Sequence, residues 1–177
     1  MMFMHEIEIP KGVEVTVKDG KITVKGKLGS TTKTVNGRLM IVRIEQNKVV
    51  ILESENKKFA KKSALATKAF STEISSAING VQNGIEQKMD VFYAHFPMTI
   101  EVKGNKVHVK NIFGERVPRV TGIVGSTKVE VKGQNVTVKG VDPYDVGQTV
   151  ANIKNICYAR GYDTRVFQDG VYPSKEE

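Results

Sequence analysis

The chain has 177 residues, a formal charge of +8 at neutral pH, a pI of about 9.5 and one cysteine, Cys157. A single cysteine excludes an internal disulfide framework and fits a reducing compartment. No apolar run approaches the roughly 20 residues of a membrane helix, and Met1-Met2-Phe3-Met4 is too short for the core of a signal peptide. The expectation is a soluble, cytoplasmic protein whose charge suits an anionic partner such as nucleic acid or an acidic protein; an ordinary soluble basic protein is the alternative.

From Ile7 to Leu52 the sequence alternates between apolar and polar residues and is punctuated by turns. Val13–Val17, Ile22–Val24, Leu39–Val42 and Val49–Leu52 read as strands of an antiparallel sheet with one covered face, the last two separated by Gln46-Asn47-Lys48. The period then changes. Phe59, Ala66, Phe70, Ile74, Ala77, Ile78 and Val81 follow three- and four-residue spacing, which predicts an amphipathic helix from Lys57 to about Asn79, with Gly80 as its stop. Lys57, Lys58, Lys61, Lys62 and Lys68 make this helix basic, which reads first as a solvated face. Gly84 to Pro97 reads as a connection.

The second half replays the order. Ile100–Val102, Val107–Ile112, Val117–Thr121, Lys128–Lys132 and Val136–Lys139 read as strands. Asp142-Pro143 is an N-cap followed by proline at the first helical position, and Val146, Val150, Ile153, Ile156 and Cys157 line one face of a helix closed by Gly161. The two halves also share residues. Val15 to Gly29 lies over Ile100 to Gly114 without a gap, at a constant offset of 85 residues. Val17/Val102, Lys18/Lys103, Lys21/Lys106, Val24/Val109, Lys25/Lys110 and Gly29/Gly114 are identical, and the turn reads Asp-Gly in one copy and Gly-Asn in the other. A repeat of two long units implies twin domains, 1–84 and 85–177. The fold class is α+β, with two homologous domains, each an antiparallel sheet covered by one helix. The copies diverge just after the shared stretch, where Gly29 leads into Ser30-Thr31-Thr32-Lys33 and Gly114 into Glu115-Arg116-Val117-Pro118-Arg119.

Catalytic chemistry is not evident. His5, His95 and His108 lack metal-ligand spacing, Cys157 reads as a small buried hydrophobe, and the glycines punctuate turns instead of opening a nucleotide-binding helix. An enzyme is therefore not expected, nor a cofactor. The second half holds four of the six arginines: Arg116, Arg119, Arg160 and Arg165. Guanidinium forks bind phosphate bidentately and stack on bases. Tyr158, Tyr162, Phe167 and Tyr172 are interleaved with Arg160 and Arg165, a combination suited to RNA, although the same aromatics could pin a C-terminal tail to its domain.

Several motifs together resemble one family. They are Asn79-Gly80-Val81 with Gly84, Tyr93-Ala94-His95-Phe96-Pro97, Val109-Lys110-Asn111-Ile112-Phe113-Gly114-Glu115, and Asp163-Thr164-Arg165-Val166-Phe167-Gln168-Asp169-Gly170-Val171-Tyr172. Their order and spacing resemble the sixth protein of the large ribosomal subunit, in its archaeal/eukaryotic form, over essentially the whole chain. The resemblance implies two homologous α+β domains, no catalytic activity, and binding of large-subunit ribosomal RNA near the stalk base and the sarcin–ricin loop. It implies neighbouring large-subunit and stalk-base ribosomal proteins as partners, translational GTPases nearby, and most RNA contacts in the second domain. Lys110, Arg116, Arg119, Lys154, Arg160, Arg165 and the tail through Lys175 become RNA-contact candidates, joined by Tyr162 and Tyr172. A basic twin-domain scaffold for acidic protein partners is the alternative.

Overall fold

Alternation of β-branched and polar residues produces short strands wherever the sequence offers it, and a few places where it hardly does. The computed structural model describes residues 4–45, 47–53 and 59–174, in two compact units, one ending at Gly84 and the other beginning at Ile85. The first unit contains β1 (Met4–Glu8), β2 (Glu14–Lys18), β3 (Lys21–Lys25), β4 (Ser30–Thr34), β5 (Met40–Glu45), β6 (Lys48–Glu53) and α1 (Ala60–Asn83). Its strands form two antiparallel sheets, ordered β1-β6-β5 and β2-β3-β4. The second unit contains β7 (Ile85–Phe92), β8 (Thr99–Lys103), β9 (Lys106–Lys110), a 3-10 turn (Ile112–Gly114), β10 (Arg119–Gly122), β11 (Lys128–Lys132), β12 (Asn135–Gly140), α2 (Pro143–Ile156) and β13 (Gly170–Pro173). Its sheets are ordered β11-β12-β7-β13 and β10-β9-β8. This is an α+β fold in which each unit splits its strands between two sheets.

The repeated hairpin keeps one register. Val15 faces Val24 and Val17 faces Ile22, and their equivalents Ile100 and Val102 face Val109 and Val107. The turns differ as their residues demand. Asp19 (φ 49°) and Gly20 (φ 68°) are both left-handed, the type I′ pattern, whereas in the second copy only Gly104 (φ 59°) is, the type II′ pattern. The same hairpin occurs a third time: Val129 faces Val138 and Val131 faces Val136 across Gly133, which has φ 61°.

Several boundaries differ from the sequence expectation. Lys57 and Lys58, at the expected helix start, and Gln46 lie outside the described residues; Lys61, Lys62 and Lys68 are exposed on α1. Helix α1 buries Ser63, Thr67, Phe70, Ile74, Ala77, Ile78, Gly80 and Val81. Phe59 instead precedes the helix and is exposed, and Ala66 is only half-buried. The buried hydroxyl of Thr67 donates to the Ser63 carbonyl at 2.8 Å, which satisfies it within the helix. Gly80 does not stop the helix. The chain continues to Asn83 because Val81 is fully buried, and Gly84 (φ 74°) ends it, donating to the Gly80 carbonyl.

The expected connection from Gly84 to Pro97 is mostly strand. β7 lies inside its sheet, with Met89 and Val91 in the core. Helix α2 has the expected cap, the Asp142 carboxylate accepting from the Tyr144 amide at 2.9 Å with Pro143 following. It ends at Ile156, before Gly161, and buries Val146, Thr149 and Ile153 against β7, β10, β12 and β13. Val107, Val109, Ile112, Val136, Val138 and Cys157 complete that core.

Candidate nucleic-acid interface

The second copy of the hairpin acquires its own chemistry from a longer exit. In the first unit Val24 pairs with Thr31, seven residues on; its equivalent Val109 pairs with Arg119, ten residues on. The additional residues form the 3-10 turn, entered through Asn111 at φ 58° and containing Phe113 at φ 50°. A bulky residue in the left-handed region is strained, so its surroundings must hold it there. Phe113 is buried, and its ring stacks on Tyr162 with centroids 5.1 Å apart.

Arg119 secures the other side of this turn. Its Nε donates to Glu115 Oε2 at 2.8 Å and its Nη2 to Oε1, a bidentate fork. Its Nη1 donates to the carbonyls of Ile156 and Tyr158 at 2.8 and 2.9 Å. Those oxygens lie at and just past the end of α2, where helix carbonyls lack intrahelical partners and a cation is favoured by the dipole. The guanidinium also sits 5.7 Å from the Phe113 ring centre. Its hydrogen bond holds the Glu115 carboxyl below the ordinary carboxylate value, and the same bond raises that of Arg119. Arg119, an RNA-contact candidate from the sequence, serves as an internal clamp: Glu115 and two carbonyls occupy its fork.

The segment leaving α2 is pinned along its length. The Asp163 carboxylate accepts from the Arg165 amide at 2.9 Å, and the Asp163 carbonyl accepts from the amides of Val166 and Phe167. Phe167 packs on Tyr162 at 4.9 Å and on His95 at 4.8 Å between centroids. Asp169, 3% exposed, accepts from the amides of Ala94 (2.9 Å) and His95 (3.3 Å) and faces His95 Nδ1 at 3.3 Å. Burial works to raise its carboxyl, but the Ala94 amide and the His95 ring and amide outweigh it and hold the value below normal. Gln168 takes the Tyr172 hydroxyl on its carbonyl at 3.0 Å. Tyr162, Phe167 and Tyr172 thus help pin the segment, as one of the two sequence readings of them anticipates, whereas the Tyr158 ring is exposed.

Against this frame the basic candidates separate. Arg116, Lys154, Arg160 and Arg165 are exposed, and their side chains make no hydrogen bond or ion pair among the described residues. Lys154 borders a groove of about 190 Å³ that also includes Tyr158, Thr164, Phe167 and Tyr172. Lys110 is paired to Glu101, which Lys103 also reaches at 3.2 Å, so it would have to share its charge with any other partner. Tyr162 and Tyr172 are each partly exposed while fixed internally. Lys175 lies outside the described residues. No cluster of three metal-ligating side chains occurs among the described residues. Burial pushes the Cys157 thiol up to about 12, which keeps it protonated and unreactive at neutral pH. No described helix is long and apolar enough to cross a membrane.

The family model described as Ribosomal protein L6 matches residues 96–170, from the junction before β8 to the start of β13. The large ribosomal subunit protein uL6 of Methanobrevibacter smithii is 42% identical over 173 residues, covering 98% of this chain and 96% of that relative. The uL6 proteins of Natronomonas pharaonis and Haloarcula marismortui are 41% and 40% identical, covering 94% and 97% of this chain and 93% and 94% of their own. The chain belongs to the uL6 family.

The stretch matched by the family model holds the Arg119–Glu115 clamp, the Phe113–Tyr162 stack and Lys110, Arg116, Lys154, Arg160 and Arg165. Tyr172 and Lys175 fall beyond it. Sequence reasoning on this uL6 chain missed Glu115, Phe113 and Asp169 as organisers of the site. The available signal for Asp169 was a lone carboxylate between Phe167 and Val171, two residues that the fold buries at least in part.

Proposed function

We propose that the protein is a structural constituent of the large ribosomal subunit that binds large-subunit ribosomal RNA, chiefly through its second unit. The observation that carries this reading is the pairing of a fixed segment with free guanidinium groups. Arg160 and Arg165 stand on a segment held by Arg119, Tyr162, Phe167 and Asp169, yet neither has a side-chain partner among the described residues. Positioned forks of this kind meet phosphates at low entropic cost, because the backbone that carries them is already ordered. Arg116 and Lys154 extend the basic surface. RNA helices hide their major groove, so contacts fall on phosphates and 2′-hydroxyls and carry little base-sequence information.

The membership in the uL6 family supports a position in the ribosome, and with it a cytoplasmic setting. Within the subunit, the reading places the second unit near the stalk base and the sarcin–ricin loop, beside neighbouring ribosomal proteins and close to where translational GTPases land. The protein acts there by shape and charge, not by catalysis. Photocrosslinking from positions 160 and 165 in assembled large subunits tests this. Crosslinks to nucleotides of the stalk base or the sarcin–ricin loop are expected; crosslinks confined to protein would contradict the reading.

A further inference from the structure

The two units differ in one way that has no counterpart in the RNA surface. β1 and β7 occupy equivalent places. Ile7 faces Val49 as Met89 faces Val136, and the amide of Ile9 donates to the Asn47 carbonyl as that of Val91 donates to Gln134. In the second unit the far edge of β7 is covered by β13, with Val171 opposite Val91, Tyr172 opposite Asp90, and the Ser174 amide donating to the Lys88 carbonyl. In the first unit β1 is an edge strand among the described residues.

Antiparallel pairing alternates, so if Ile7 and Ile9 bond to β6, the backbone groups of Glu6 and Glu8 point outward. They are the counterparts of Lys88 and Asp90, which β13 covers. The missing cover is visible in burial: Met89 is fully buried, whereas Ile7 is only half-buried. Beside β1 lies a groove of about 450 Å³, bordered by Ile7 and Ile9 and by Ser75 and Ile78 of α1. Val171, 1% exposed and packed between β7 and α2, fills the matching place in the second unit.

We propose that the outer edge of β1 is a docking site for an extended segment of a partner protein, which adds an antiparallel strand as β13 does on β7. The occupant carries an aliphatic residue opposite Ile9 and basic residues opposite Glu8 and Glu6. Both glutamates are exposed, and cross-strand pairs of opposite charge are favourable; Glu8 offers its carboxylate directly, whereas Glu6 already holds Lys48 at 2.9 Å and shares its charge with it. A second copy of this chain is disfavoured, because β1 against β1 centred on Glu6 sets glutamate against glutamate. Pro10, which stands where Phe92 stands in β7, removes one donor from the edge and limits the added strand to Glu6–Ile9.

The test uses the isotopically labelled full chain and the synthetic peptide Gly-Val-Lys-Val-Lys-Val. The control is the same peptide N-methylated at both lysine amides, the ones that face β1. The unmodified peptide is expected to slow amide exchange at Glu6 and Glu8 at least tenfold at saturation, and the methylated peptide to leave it unchanged. Replacing Glu6→Lys together with Glu8→Lys, both at exposed positions, is expected to weaken the peptide about tenfold. Unchanged exchange at millimolar peptide, or equal protection by the methylated form, overturns the proposal. Protection of Glu6 and Glu8 without peptide, accompanied by dimers in sedimentation, overturns it in favour of self-pairing.

Discussion

The rings of Phe113 and Tyr162 lie 5.1 Å apart at an interplanar angle of 23°, joining a strained turn to the segment that carries Arg160 and Arg165. One aromatic is buried and strained, the other partly exposed, and each limits the freedom of the other. Tyr162→Ala is expected to leave the unit folded but to speed amide exchange across residues 158–168 and weaken RNA binding several-fold. Phe113→Ala opens a core cavity as well and is expected to cost about 3–5 kcal/mol in denaturant unfolding. Tyr162→Phe keeps the stack, so near-normal RNA binding is expected from it.

The Arg119 clamp distinguishes Arg119 from the arginines proposed to bind RNA. Arg119→Lys cannot reproduce a fork on Glu115 together with two carbonyl contacts. A loss of roughly 2 kcal/mol in urea unfolding is expected, with the denaturant slope unchanged. Arg165→Ala, by contrast, is expected to leave the urea midpoint where it is and to alter RNA affinity alone.

Acid should release the end of the segment late. The Asp169 carboxyl lies below its ordinary value of 3.8 when folded, so the unfolded chain takes up the proton first as pH falls. Its contribution is fully present above the unfolded value, and is lost as pH falls through the lower folded one. Thermal melts between pH 7 and 4 are expected to show no loss assignable to this group, with destabilisation beginning below about pH 4. Asp169→Asn should be less stable than the native chain at pH 7, and the gap should narrow below pH 4.

The first unit has its own close approach. A Cβ on Gly26 would come within 2.8 Å of the Val81 carbonyl oxygen and 2.7 Å of its side chain, where the turn after β3 meets α1. The Leu28 amide donates to the same carbonyl at 3.1 Å. Gly26→Ala is expected to destabilise the chain by about 1–3 kcal/mol in equilibrium unfolding, through overpacking, and to leave the RNA binding proposed for the second unit unchanged.

The hairpins, the α2 cap and the α+β class were legible because each rests on local chemistry: alternation, turn residues, and Asp142-Pro143. What was not legible depended on tertiary contacts. β7 reads Ile-Glu-Gln-Lys-Met-Asp-Val-Phe, and Gln87 breaks its apolar alternation, so only its place between β12 and β13 identifies it. β13 is four residues including Pro173, tolerable because the strand lies at a sheet edge. β4 is rich in threonine, and Thr31 is buried in it. For the site, composition gathered the arginines as a group but could not divide them. Only the geometry of Glu115 and the end of α2 shows that Arg119 faces inward while Arg160 and Arg165 remain open.

The most direct measurement is the salt dependence of binding between the full chain and a stalk-base ribosomal RNA fragment, for the native protein and for Arg116→Ala, Arg160→Ala and Arg165→Ala. If each arginine neutralises one phosphate, each replacement lowers the slope of log affinity against log salt by about one, with folding unchanged. Unchanged affinity and slope in all three variants would contradict the assignment of the RNA surface to this segment.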